Sequence, residues 1–170
     1  MFIITNLLEM DDIDRIIIKL IQDDPGLTHS EIAKKIRRSQ PTVGQRIKKL
    51  QTNGLIKYQA GFNFKELDMQ SAYVYVKTTD VEYIVRTVKN CPHMINAFRL
   101  SGEFTFSILV IAFAIKDIEL IVNYHFRKNP NVENTSIELI TGIVDDLILH
   151  LDLDFKQCKC RINHLLTQKE

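Results

Sequence analysis

The sequence has few cysteines, and this shortage excludes one class of small protein. Only Cys91, Cys158 and Cys160 occur in 170 residues. Three cysteines at such uneven spacing are too few for the disulfide framework of a small secreted domain. With 45% hydrophobic residues, the chain has ample material for packed cores instead.

Long hydrophobic runs are also absent. A membrane-spanning helix needs about 18 or more consecutive apolar residues, and the nearest candidate, 104–115, is shorter and interrupted by Thr105 and Ser107. The first four residues have neither the basic flank nor the small-residue cleavage site of a signal peptide. We therefore expect a soluble globular protein that stays in the cytoplasm and does not bind membranes.

The chain has almost no net charge, but its charges are unevenly distributed. The formal charge is +1, yet the segment from Thr28 to Lys57 carries eight lysines and arginines against Glu31 alone, a net charge of +7. The rest of the chain therefore carries −6. A compact basic segment is typical of a surface that binds a polyanion. A solvated, lysine-rich helix face would explain the same charges, so the charge alone does not decide.

The basic segment contains two short helical patterns joined by a turn. Each has one apolar stripe at helical spacing, formed by Ile32, Ala33 and Ile36 and by Val43, Ile47 and Leu50. Ser39 or Gln40 suits the N-cap of the second helix, and Pro41 suits its first turn. The pattern predicts a helix-turn-helix whose second helix is basic.

A further helix and a short β-rich segment flank this pair. An acidic first turn at 11–14 precedes an apolar stripe that continues to Ile21, which predicts a leading helix. Residues 55–63 are short, β-rich and punctuated by glycine, which predicts a two-stranded wing. We therefore assign residues 1–63 to a winged helix-turn-helix DNA-binding domain.

The second half of the chain has a different pattern, which begins after a predicted linker at 64–70. Strand, helix, hairpin, helix and strand patterns follow one another at 72–77, 80–90, 94–112, 116–128 and 136–144. The order β-α-β-β-α-β predicts a ferredoxin-like effector and dimerisation domain at 71–154, with both helices on one sheet face, and an α+β fold class overall. Residues 155–170 form a C-terminal extension. Because the strand at 104–111 is apolar on both sides, we expect a homodimer in which a second sheet covers the other face.

Together these features resemble the Lrp/AsnC, or feast/famine, family of transcription regulators. The residues that carry the resemblance are Met10 to Asp14, Glu31 to Lys34, Thr42-Val43 with Arg46 to Leu50, Gly54 to Ile56, and Gly102 to Phe104. The resemblance implies a sequence-specific regulator that binds double-stranded DNA as a homodimer, often assembled into octamers. In many members an amino acid binds between effector domains. We expect no catalytic residue and no cofactor.

The second helix of the helix-turn-helix is the candidate DNA reader. Glutamine pairs well with adenine, and arginine or lysine with guanine, so the candidates for base contacts are Gln40, Thr42, Gln45, Arg46 and Lys49. Ser39, at the start of the helix, is a further candidate for DNA contact. For Arg46, a phosphate contact or an ion pair within the protein is an open alternative. The candidate phosphate anchors are Lys34, Lys35, Lys48 and Lys57.

The loop of the predicted hairpin is the candidate effector site. In the resembling family this loop often reads Gly-x-x-Asp, and the candidates here are Gly102, Glu103 and Thr105, where Thr105 takes the place of the aspartate. The replacement removes a carboxylate that would help to organise a ligand. A plain hairpin turn is the alternative.

Two further clusters suggest metal chemistry. Cys158, Cys160 and His164 suit zinc, but they supply three ligands at most where a closed site has four, so we predict no bound metal. Acidic residues around His150 either hold a divalent cation or form a solvated acidic face; they are Asp145, Asp146, Asp152 and Asp154.

Two other functions stay open. A siroheme-decarboxylase-like enzyme would use the same architecture, with a haem-side histidine among His29, His93, His125 and His150. An oligomeric small-molecule-binding protein without DNA binding is the other alternative. The basic helix has no role in either.

Overall fold

The computed structural model describes residues 10–155 and Cys160. The chain divides into two compact units between Gln59 and Ala60. Within the described residues, no helix combines the length and the apolar character that a membrane span requires. The C-terminal extension predicted at 155–170 lies outside the described residues except for Phe155 and Cys160.

The first unit contains three helices: α1 (Asp12–Asp23), α2 (His29–Ile36) and α3 (Gln40–Thr52). Each begins at a residue whose side chain caps the first turn. Asp11 caps α1 and Thr28 caps α2, both in reciprocal capping boxes with the acidic residue three positions later. The predicted helix starts are thereby confirmed, because side-chain oxygens satisfy backbone N–H groups that the helix itself leaves unpaired.

The apolar stripes of the three helices meet in one core. Ile17 from α1, Ile32 and Ala33 from α2, and Val43 and Ile47 from α3 are all buried there. The residues that their helical spacing assigns to the apolar stripes are therefore the ones that pack together in this core. No stripe has enough area to fold alone, so the helices depend on one another.

The prediction of two paired wing strands within residues 55–63 is wrong. Residues 55–61 form no strand, and β1 (Phe62–Asn63) pairs antiparallel with β6 (Ile148–Leu149) of the second unit. Gly61 permits this pairing, since a Cβ at that position would lie 2.7 Å from the carbonyl oxygen of Leu149.

The second unit has the predicted βαββαβ order. Its elements are β2 (Gln70–Thr78), α4 (Val81–Asn90), β3 (Met94–Arg99), β4 (Phe106–Ala112), α5 (Ile115–Val122), a π-helical turn (Asn123–Arg127) and β5 (Val132–Ile140). The four strands form an antiparallel sheet in the order β3-β4-β2-β5. Inward side chains such as Val74 and Ile108 pack with Ile84 of α4 and Ile118 of α5, so both helices cover one face.

Two boundaries in this unit differ from the prediction. The last strand runs from Val132 to Ile140 and not over the predicted 136–144; it begins earlier because the turn at 129–131 leads directly into it. The linker predicted at 64–70 belongs to the unit: Phe64 is buried with Ile111 and Leu151 on the sheet face opposite the helices. The chain itself therefore covers part of the face that we expected a second copy to cover.

Candidate DNA-binding surface

The turn between α2 and α3 is short and basic. It begins with Arg37, which has a φ of 53° in the left-handed region that few non-glycine residues adopt. Arg38 follows, and its backbone N–H donates to the carbonyl oxygen of Ala33 (3.0 Å). Both arginine side chains are exposed. This tight turn sets the direction in which α3 leaves α2.

The start of α3 uses two of the predicted DNA-binding residues for capping. The Ser39 hydroxyl accepts a hydrogen bond from the Thr42 backbone N–H (3.3 Å), and its oxygen lies 2.7 Å from the Thr42 hydroxyl. Thr42 is also half-buried. These two hydroxyls therefore stabilise the start of α3.

The remaining residues of α3 are buried or exposed according to the side of the helix on which they lie. Val43, Ile47 and Leu50 are buried, whereas Gln40, Gln45, Lys48 and Lys49 are exposed. Glutamine supplies both a donor and an acceptor on one planar group, which is what adenine offers in the major groove. The structure thus leaves two glutamines and two lysines of α3 accessible outside its buried stripe.

Arg46 forms ion pairs with two aspartates of the first unit. Its Nη1 lies 2.7 and 2.8 Å from the two carboxylate oxygens of Asp11 and 2.8 Å from Oδ1 of Asp14. The hydrogen bonds that Arg46 donates to Asp14 and then to Asp11 raise the pKa of Arg46 above its ordinary value. Of the alternatives considered for Arg46, the structure therefore contains the ion pair, which joins α3 to the start of α1.

The contact with Arg46 also changes the pKa of Asp11. The backbone hydrogen bond from Asp14, followed by the hydrogen bond from Arg46, lowers the pKa of Asp11 below its ordinary value. Asp11 therefore serves as both the N-cap of α1 and a partner of α3. The acidic first turn from which we predicted this helix therefore also binds α3.

Seven other cations of the basic segment are exposed, and none has a carboxylate within ion-pair distance in the part of the chain that is described. They are Lys34, Lys35, Arg37, Arg38, Lys48, Lys49 and Lys57. Two of these, Arg37 and Arg38, are missing from our predicted site. Their position in the turn between α2 and α3 is the feature of the sequence that would have added them to the candidate phosphate anchors.

The loop between β3 and β4 contains the candidate effector residues. Gly102 and Glu103 are exposed, but Thr105 is half-buried. The Thr105 hydroxyl lies 3.0 Å from the carbonyl oxygens of Val76 and Thr78 and accepts from the Thr78 backbone N–H (3.0 Å). Thr105 therefore anchors the loop to the end of β2, while Gly102 and Glu103 face solvent.

The acidic residues near His150 do not gather around a common point within the described residues. Asp145 and Asp154 are exposed, and Asp146 accepts a hydrogen bond from the Asn63 side chain (2.9 Å). This arrangement is a solvated acidic surface in which Asp146 supports the β1-β6 pairing. Two residues of the predicted tail cluster, Cys158 and His164, lie outside the described residues.

Three helices with a tight basic turn, followed by a ferredoxin-like unit, define a DNA-binding protein with a second, ferredoxin-like domain. Residues 10–57 match the winged helix-turn-helix DNA-binding family. An uncharacterized HTH-type transcriptional regulator of Pyrococcus furiosus is 32% identical over 140 residues, which cover 80% of this chain and 86% of the relative. The HTH-type transcriptional regulator LrpC of Bacillus subtilis is 26% identical over 120 residues, or 68% of this chain and 83% of LrpC.

Solved structures agree with these relatives. The structure of B. subtilis LrpC has a TM-score of 0.71 at 24% identity and covers 81% of this chain and 98% of its own. A transcriptional regulator of Neisseria meningitidis, solved as a complex with L-Met, has a TM-score of 0.73 at 18% identity, with 85% and 97% covered. At these identities the likeness shows the fold.

The chain belongs to the Lrp/AsnC family and is a DNA-binding transcription regulator. The relatives are regulators and not enzymes, and nothing among them supports the siroheme-decarboxylase alternative or a protein without DNA binding.

Proposed function

We propose that α3 enters the major groove of double-stranded DNA and that Gln40 and Gln45 make its base contacts. The observation that carries this proposal is the division of α3 into a buried apolar stripe and exposed polar residues. In helix-turn-helix proteins the N-terminal part of the second helix contacts base edges. Gln40 begins α3, and Gln45 lies between the buried residues Val43 and Ile47.

The exposed cations anchor the DNA backbone. Lys34 and Lys35 lie near the end of α2, Arg37 and Arg38 in the turn, and Lys48, Lys49 and Lys57 at or beyond the later part of α3. Cations that contact phosphates set affinity and its dependence on salt, but they do not read sequence. Arg46 acts indirectly, because its ion pairs orient α3 against α1.

The experiment compares Gln45→Ala with Lys48→Ala. Each variant and the parent protein select duplexes from a random-sequence library, and their affinities for the selected site and its single-base variants are measured at several salt concentrations. Lys19→Ala is the control, since Lys19 is exposed on α1 outside the basic segment.

We expect Gln45→Ala to cost about 1–3 kcal/mol on the selected site and to relax preference at one position. Lys48→Ala should weaken all duplexes alike and reduce the salt slope by about 0.9 for each phosphate that is no longer neutralised. Equal reductions in affinity on every duplex for both variants would contradict the division between base readers and anchors.

The regulator acts as a homodimer in this proposal, and dimers assemble further into octamers. On the sheet face opposite the helices, Tyr73 is 38% exposed and Phe98 is 51% exposed, while Leu109, the partner of Tyr73, is nearly buried. Two apolar rings on a partly covered sheet face favour burial against a second copy. Analytical ultracentrifugation of the full chain and of Tyr73→Glu tests this, and a parent protein that sediments as a monomer would refute it.

An amino acid modulates DNA binding through the loop that contains Gly102 and Glu103. The support is the exposed loop, its anchor at Thr105, and a family relative solved with L-Met. A panel of amino acids added to DNA-binding assays should change the apparent affinity for at least one member. Glu103→Gln should weaken that response and leave DNA binding without the amino acid unchanged. The place of action is the cytoplasm, where the DNA partner of such a regulator lies.

A further inference from the structure

Two cysteines and one histidine from three separate segments converge in the second unit. The Sγ atoms of Cys91 and Cys160 and a ring nitrogen of His125 all lie within 4.8 Å of one another. Cys91 and Cys160 are buried, and His125 is half-buried. We propose that Cys91, His125 and Cys160 form a zinc-binding site in the effector domain.

The donor atoms fit zinc in type and in spacing. Thiolate sulfur binds Zn²⁺ at about 2.3 Å and imidazole nitrogen at about 2.0–2.1 Å, so two ligand atoms of a tetrahedral site are about 3.5–3.8 Å apart. The separations here are at most 4.8 Å, about 1.0–1.3 Å above those values, so small side-chain rotations would bring the three atoms to ligand distance. Two sulfurs and a nitrogen do not suit magnesium or calcium, which prefer oxygen ligands.

The backbone fixes two of the three ligands. Cys91 is the first residue after α4 and has extended dihedral angles, φ −115° and ψ 112°, which turn the chain away from the helix axis. His125 lies in the π-helical turn that follows α5. The Tyr83 hydroxyl of α4 donates to the carbonyl oxygen of His125 (2.6 Å), so a direct hydrogen bond ties the two segments together.

The π-helical turn is itself informative. Such turns are rare, and they are frequently found at functional sites because the wider turn rotates the following side chains. In this chain the turn keeps Phe126 fully buried in the core while His125, one residue earlier, is placed near the two cysteines. A regular α-helix would change the angle between the side chains of His125 and Phe126 around the helix axis.

A metal ion would reach the site from the surface. A cavity of about 860 Å³ is lined by both Cys91 and His125, and also by the exposed side chains of His150 and Asp152. A binding site needs such an access route as well as converging ligands. Three protein ligands would leave one tetrahedral position for water, which is the arrangement of zinc sites that are not closed.

Bound zinc would connect Cys160 to the end of α4 and to the π-helical turn. Because the ion binds the folded domain and not the separated segments, its binding free energy adds to the stability of the domain. The effector domain would thus sense metal at a place distinct from the loop at Gly102 and Glu103.

The test uses the untagged full-length chain, prepared with reductant so that the thiols stay reduced. Zinc content is measured by elemental mass spectrometry, and affinity by competition with a chromophoric chelator. Cobalt(II) replaces zinc as a spectroscopic probe, since thiolate ligation gives a sulfur-to-cobalt charge-transfer band. We expect one metal ion per chain, a charge-transfer band, and a thermal midpoint that rises with zinc and falls with chelator.

Removing a ligand should weaken zinc binding by more than about 100-fold, because removal of even an outer-sphere partner costs about 10–100-fold. The variants are Cys160→Ser, His125→Gln and Cys91→Ser, and circular dichroism checks that each one folds. His150→Ala is the matched control: this histidine lines the same cavity but lies outside the converging group, and its removal should leave binding unchanged.

Three results would overturn the proposal. Reduced parent protein that neither contains nor binds metal is the first. Folded Cys160→Ser and His125→Gln proteins that bind zinc as tightly as the parent are the second. The third is a weakening of zinc binding in His150→Ala equal to that in His125→Gln, which would refute the assignment of these three ligands.

Discussion

Replacing Arg46 should destabilise the first unit without changing which DNA sequence is preferred. Arg46→Met keeps most of the aliphatic stem and removes the guanidinium that contacts Asp11 and Asp14. If Arg46 were a base reader, the same substitution would relax preference at one base pair and leave stability nearly unchanged. The two roles therefore predict opposite outcomes for one variant.

The magnitude follows from the exposure of the pair. Hydrogen bonds to charged groups contribute about 1.5–3 kcal/mol when buried, whereas exposed ion pairs contribute about 0.2–1 kcal/mol. The side chains of Arg46 and Asp14 are 28% and 13% exposed, and their atoms are 2.8 Å apart. The pair lies between these limits, so we expect a coupling free energy of about 1–2 kcal/mol.

A double-mutant cycle measures that coupling. The cycle consists of the parent, Arg46→Met, Asp14→Asn and the double variant, because asparagine can still accept the hydrogen bond that closes the capping box. Unfolding in urea is followed by circular dichroism, and hydrogen exchange of peptides from α1 and α3 assigns the destabilisation to the first unit. Lys49→Met is the control, since Lys49 is exposed on the same helix.

Two results would refute this reasoning. One is a coupling free energy indistinguishable from zero together with unchanged protection of α1 and α3. The other is a changed base preference in Arg46→Met, measured with the selected duplex and its single-base variants. The first result would mean that the ion pairs of Arg46 contribute nothing to folding, and the second that the guanidinium leaves the aspartates when DNA binds.

Three further predictions concern single residues. The pKa of Asp11 is lowered in the folded chain, so the ionised carboxylate stabilises the fold above its unfolded pKa of about 3.9, and this contribution is lost as pH falls through the lower folded value. The difference in free energy of unfolding between the parent and Asp11→Asn should therefore disappear in acid. Gly61→Ala should cost about 1–3 kcal/mol in urea unfolding, since its Cβ would meet the Leu149 carbonyl at 2.7 Å. Thr105→Val should cost a similar amount, about 1–3 kcal/mol, by leaving a backbone N–H without its acceptor, and Thr105→Ser should retain stability.

The helices and the βαββαβ order were predictable because both signals are local. Capping residues and apolar spacing lie within a few positions of one another, as at Thr28 and Glu31. The pairing of β1 with β6 was not predictable in this way. Residues 62–63 have the composition of a wing strand, and only their distant partner, Ile148–Leu149, shows that they belong to the second unit.

The candidate site was predictable in its location but not in the interactions of each residue. The two carboxylates that hold Arg46 come from α1 and its N-cap, and Arg46 and Asp11 are 35 positions apart in the chain. The net charge of a segment cannot distinguish a cation that meets DNA from one that has a carboxylate beside it. The converging group of Cys91, His125 and Cys160 was not predictable for the same reason, since no two of these residues are close in sequence.

The ion pairs of Arg46 also change how the basic segment acts on DNA. Eight cations lie between Thr28 and Lys57, but Arg46 is compensated by two carboxylates, which leaves seven exposed cations. If all seven neutralised phosphates, the salt slope for one DNA-binding unit would be about 6, because each neutralised phosphate contributes about 0.9. That value is an upper limit, since cations at both ends of α3 and in the turn cannot all lie equally close to one backbone. Because Arg46 is not among these seven cations, its replacement should leave the slope unchanged even where it lowers affinity.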